Sequence, residues 1–118
     1  MGTAIIYEAH FKKEKVIGKR TEWFFGNHEY EIKRRWSMDR FNVQYPDGKV
    51  ESIEYYRSYS TDNGDGRGYN DEKTELQLNR NSTLQKAINK LEKQGYHVAS
   101  SQIALMMGGK IDRLIMKK

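Results

Sequence analysis

The chain has 118 residues, enough for one domain spanning 1–118 that buries a modest core without staples. It contains no cysteine, which excludes disulfides, thiolate metal sites and cysteine nucleophiles. Lysine and arginine number 21 against 16 acidic residues, and the formal charge of +5 favours a polyanionic partner such as nucleic acid.

Glu8 and His10 interrupt the N-terminal stretch before it can form the apolar core of a signal peptide, and no apolar run reaches the length of a membrane span. A soluble cytoplasmic protein with no membrane partner is expected. Ile5, Tyr7, Ala9 and Phe11 alternate with Glu8 and His10 as one strand. Lys12-Lys13-Glu14-Lys15 reads as a charged turn or exposed strand end, and Ile17, Thr21, Trp23 and Phe25 form a second strand. Gly26-Asn27 signals a turn. Tyr30, Ile32 and Trp36 then alternate with Glu29, Glu31, Lys33 and Arg35 in a third strand. Phe41, Val43 and Tyr45 give a fourth.

Pro46-Asp47-Gly48-Lys49 is the clearest turn: proline presets φ and glycine accepts the left-handed position. The segment 41–59 is therefore a β-hairpin. Residues 60–71 read as a polar loop, followed by a short strand over Glu72–Leu78 with Thr74, Leu76 and Leu78 on one face. The period then changes. Leu84, Ala87, Ile88 and Leu91 recur at i, i+3, i+4 and i+7, one stripe of a helix over about 83–94. Ser82 and Gln85 have capping-box spacing, and Gly95 suits the stop. Tyr96–Leu105 and Ile111–Met116 predict a closing hairpin around Gly108-Gly109. The expected fold is α+β: an antiparallel sheet of six to seven strands with the helix packed on one face. One helix cannot cover so large a sheet, so barrel-like curvature or a second subunit should close the rest, and a homo-oligomer is expected.

Chemistry-bearing motifs are few. His10, His28 and His97 lie on separate strands, and no nucleophile elbow occurs, so an acyl-transfer enzyme is not indicated. Glu29, Glu31 and Lys33, with Asp47, could serve a metal-dependent nuclease, but the same triplet suits a charged solvent face. Asp62-Asn63-Gly64-Asp65-Gly66-Arg67-Gly68 misses a calcium loop, having Arg67 where an oxygen ligand belongs. Its glycines do not open directly into a helix, so it is no P-loop either. No metal or cofactor is expected.

The remaining pattern combines rings with guanidinium groups. Arg34, Arg35 and Trp36 form one basic cluster. Tyr55, Arg57 and Tyr59 share a strand face by parity, next to a glycine-rich loop bearing Arg67 and Tyr69. Rings stack bases, and guanidinium forks pair with phosphates. The competing reading makes Trp36, Tyr55 and Tyr59 core residues covered by arginine stems. The expected function is a non-enzymatic binding protein for a phosphate-bearing ligand, most simply single-stranded nucleic acid. Alternatives are a sequestering protein holding a cyclic or signalling nucleotide at a homodimer interface, and a protein–protein interaction module.

Overall fold

The computed structural model describes residues 2–23, 26–98 and 113–118. The described elements are β1 (Thr3–Glu22), β2 (His28–Gln44), β3 (Val50–Asp62), β4 (Asn70–Gln77), α1 (Arg80–Glu92) and β5 (Leu114–Lys117). The strands form one antiparallel sheet in the order β4-β3-β2-β1-β5. The α+β class is as expected. The described strands number five rather than six or seven: two predicted breaks do not exist, and most of the predicted strand Tyr96–Leu105 lies outside the described residues. β1 runs through Lys12–Lys15, and β2 joins the predicted third and fourth strands. Charged residues mark a turn only when the backbone also needs turn geometry; along an exposed strand they are simply solvated.

The chain divides into two compact units. The first comprises Met1–His10, Asp39–Tyr55 and Leu78–Lys118; the second comprises Phe11–Met38 and Tyr56–Gln77. The two differ in what they bury. Every buried apolar residue among those described belongs to the first unit: Ala4 and Ile6 of β1, Phe41 and Val43 of β2, Tyr55 of β3, the helix stripe, Tyr96, and Leu114 and Met116 of β5. In the second unit the buried residues among those described are Ser58 and Thr61, while Phe11, Val16, Ile17 and Trp23 are exposed.

In the first unit, α1 buries Thr83, Leu84, Ala87, Ile88 and Leu91, the predicted stripe. Each fully buried leucine or isoleucine contributes about 1.5–3 kcal/mol. The cap differs from expectation. Asn79 is the N-cap, and its side chain accepts a hydrogen bond from the Ser82 backbone N–H at 2.9 Å. The helix therefore starts at Arg80 rather than near 83. Ser82 occupies the third helical position and supplies only its N–H. Gly95, at φ +94°, follows the helix.

β1 pairs antiparallel with β5, setting Ala4 opposite Met116 and Ile6 opposite Leu114, all four buried. The inward row of β1 is thus Ala4 and Ile6, not Ile5 and Tyr7. Glu8 shares that row, and a buried carboxylate disguised it in the sequence. The predicted hairpin at Pro46–Lys49 is present: Tyr45 N–H donates to Lys49 O at 2.8 Å, and Gly48 adopts φ +90°, which glycine alone takes freely. The closing hairpin is visible only at its ends, where His97 bridges antiparallel to Lys117. Its turn, Gly108-Gly109, lies outside the described residues, as does Phe25.

In the second unit, β3 runs on to Asp62, so the polar loop shortens to 63–69. The β3–β4 ladder carries two register shifts, between Arg57 and Ser58 and between Tyr59 and Thr61. No described helix is long and apolar enough to cross a membrane.

Candidate functional site

The predicted ligand residues separate into two groups. Tyr55 belongs to the first unit and is core. Its side chain stacks tilted on Phe41 at 5.3 Å between centroids, and its hydroxyl donates to Glu8 Oε2 at 2.6 Å. It has no free face to offer a base. Burial along β3 falls on Tyr55, Ser58 and Thr61, a spacing of three, and a register shift between Arg57 and Ser58 interrupts the strict alternation on which the shared face of Tyr55, Arg57 and Tyr59 was predicted.

The polar cluster around Tyr55 was not anticipated. Arg80 grips Glu8 through Nε to Oε2 at 2.6 Å and Nη2 to Oε1 at 3.2 Å. The Glu8 side chain is only 3% exposed. Burial pushes its pKa up, but the hydrogen bonds from Arg80 and Tyr55 outweigh burial and hold it below the ordinary glutamate value. The Arg80 pKa is raised chiefly by its hydrogen bond to Glu8, and the Tyr55 hydroxyl is raised by burial and then by Glu8. His10 adjoins this cluster, with Nδ1 2.6 Å from Asp39 Oδ1 and Nε2 3.8 Å from Glu8 Oε1. A glutamate separated from Arg80 by three strands in sequence gives no local signal. Arginine at the first helical position is the only hint, because a cation there opposes the helix dipole unless an acid compensates.

The other seven predicted residues all lie in the second unit. Arg34 of β2 sits over the Tyr59 ring at 4.4 Å and donates from Nε to Thr61 Oγ1 at 3.4 Å. Arg35 sits over the Tyr69 ring at 4.2 Å. Burial and the Glu14 carboxylate raise the Tyr69 pKa. Consecutive strand residues point to opposite faces, so the two stacks are separate. No carboxylate among the described residues lies within ion-pair distance of Arg34 or Arg35. Trp36 is half-buried and joins neither stack. Arg57 has Glu75 at 4.0 Å. Arg67 is highly exposed, with Asp65 at 3.8 Å.

The glycine-rich loop is shaped by its aspartates. Asp62 Oδ1 accepts from Gly64 N–H at 2.9 Å, and Asp65 Oδ1 accepts from Arg67 N–H at 3.0 Å, two successive Asx turns. Gly64 also allows a close approach: at φ +75°, an added Cβ would lie 2.8 Å from Tyr30 Cβ. Beside this loop is an open cleft of about 580 Å³, within the usual range for small ligands. It is lined by Arg34 of β2, Tyr59 and Thr61 of β3, Asn63 of the loop, and Asp71, Glu72 and Lys73 of β4. Glu29, from the nuclease reading, pairs with Lys19 at 3.3 Å. No group of three or more histidine or acidic side chains among the described residues could hold a metal ion.

No family model, curated protein or solved structure matches this chain, so its functional reading rests on its own side chains.

Proposed function

We propose that this chain is a non-enzymatic binding protein for a phosphate-bearing ligand, with single-stranded nucleic acid the simplest candidate. The observation that carries the reading is the pair of ring-seated arginines, Arg34 on Tyr59 and Arg35 on Tyr69, with no carboxylate among the described residues at ion-pair distance. A ring beneath a guanidinium fixes its plane without consuming its in-plane donors, so the fork stays open to an anion. The excess of cations over acids in the chain supports the same reading.

A second reading is favoured by the cleft. Its lining mixes Arg34 and Lys73 with Asp71 and Glu72, and its volume is that of a small-molecule site. A mononucleotide, which carries base donors as well as phosphate, suits such a lining better than an unbroken polyanion does. Self-association belongs to the proposal as well. Phe11, Ile17 and Trp23 share parity along β1 and its end and are exposed by 42%, 44% and 74%, in a unit that buries no apolar side chain among those described. A second copy covering that row would supply the missing core.

Fluorescence anisotropy with labelled oligothymidylate across a salt series tests the reading. A polymer contacting several phosphates loses affinity steeply as salt rises, whereas a mononucleotide, followed by calorimetry, responds weakly. Absence of binding to both contradicts the proposal and leaves a protein–protein module as the better account. Sedimentation of micromolar protein as monomer alone contradicts self-association.

A further inference from the structure

Asp71, Glu72 and Lys73 are consecutive in β4, yet all three line the same cleft. In a regular strand successive side chains alternate between faces. The register shift explains the shared lining. Tyr59 pairs with Lys73 and Thr61 with Asn70, so Asp71 and Glu72 together stand opposite Ser60. This is a β-bulge, a device that re-aims side chains. Asp71 pivots it at φ +53°, the only non-glycine residue with positive φ among those described. That conformation is uncommon for a residue with a side chain, and Asp and Asn tolerate it best. Asp71 and Glu72 thereby border one cleft together with Arg34 and Lys73. The Glu72 carboxylate accepts from the Tyr56 hydroxyl at 3.3 Å, outside that lining, and Asp71 is the other acid of the cleft.

We propose that this cleft reads the Watson–Crick edge of a guanine base, with Asp71 accepting from the base and Arg34 and Lys73 facing the phosphate. The inference rests on the phosphate-ligand reading above. The chemistry selects the base. Guanine alone among the common bases presents two adjacent donors, N1–H and the N2 amino group, which match the two oxygens of one carboxylate. Adenine and cytosine set a single amino donor beside an acceptor nitrogen. Uracil and thymine flank one N–H with two carbonyls, which a carboxylate repels. The buried Thr61 accepts from Arg34 Nε, leaving the two terminal nitrogens for the anion.

Calorimetry of the full chain with GMP, AMP, CMP and UMP tests this, alongside short oligothymidylates carrying one central guanine, adenine or cytosine. GMP and the guanine-bearing strand should bind about 5- to 150-fold more tightly than their counterparts, the discrimination of one bidentate pair. Asp71→Asn keeps a residue suited to positive φ, so the fold should survive, with circular dichroism as the check. Its carboxamide offers one donor and one acceptor, so guanine preference should vanish and adenine should gain. Arg34→Ala should weaken every nucleotide alike. Equal binding of all bases, or an Asp71→Asn variant that still prefers guanine, overturns the guanine inference while leaving the phosphate-ligand reading intact. Binding of no nucleotide or oligonucleotide overturns both.

Discussion

Replacing Arg80 by methionine removes the guanidinium from Glu8 while keeping a stem of similar length beside Phe41. Both hydrogen bonds from Arg80 to Glu8 disappear, and a carboxylate 3% exposed is left with the Tyr55 hydroxyl as its close donor. Breaking a buried ion pair from one side costs about 3–5 kcal/mol. Arg80 itself is 27% exposed, so water can reach the gap, and the low end, about 3 kcal/mol, applies. With a urea slope typical of small domains, that moves the denaturation midpoint down by about 1–3 M. The double variant Glu8→Gln/Arg80→Met, which buries no charge, should recover most of the loss. The pH dependence follows from the sign of the shift. The Glu8 pKa is lowered in the folded chain, so its stabilising contribution is present above the unfolded glutamate value of about 4.3 and is lost as pH falls through the folded value. Arg80 supplies the largest of the influences that lower the Glu8 pKa, so without it that pKa rises and the gap between variant and parent should narrow in acid. A midpoint unchanged by Arg80→Met, or single-variant losses that simply add in the double variant, would refute the reasoning.

Three further outcomes are expected. Asn79→Ala should cost about 1 kcal/mol through loss of the helix cap, whereas Ser82→Ala should leave the urea midpoint nearly unchanged because Ser82 contributes only its backbone N–H. Leu91→Ala, at a fully buried position, should cost about 2–5 kcal/mol in the same titration. Gly64→Ala combines strained φ with a 2.8 Å approach to Tyr30, so amide hydrogen exchange across residues 63–69 should accelerate.

Much of the fold was legible because period and turn chemistry coincide with burial. The helix stripe from Leu84 to Leu91 and the Pro46–Lys49 turn are local signals, and each is where the pattern put it. The inward row of β1 was not legible. Its third member is Glu8, whose partner Arg80 is 72 residues away, and a charged residue normally marks the solvent side. Asn79 and Ser82 compete for the same cap, and spacing to Gln85 favoured the wrong one. At the candidate site, Arg34, Arg35, Tyr59 and Tyr69 were legible as residue types. Their pairing was not, because it depends on which strand lies beside which. Tyr55 went to the core because aromatic residues serve cores and ligands equally well by composition. Asp71, Glu72 and Lys73 were missed because a bulge, which parity cannot reveal, brings them to border one cleft.

The central claim is that the ring-seated arginines of β2 receive a phosphate-bearing ligand. The direct measurement is a titration of the full chain and of Arg34→Gln and Arg35→Gln with a labelled oligothymidylate at low salt, each variant first confirmed as folded by circular dichroism. The account predicts that the parent binds and that each substitution costs about 1.5–3 kcal/mol, the range for hydrogen bonds to charged groups. Parent and variants binding with the same affinity would contradict it.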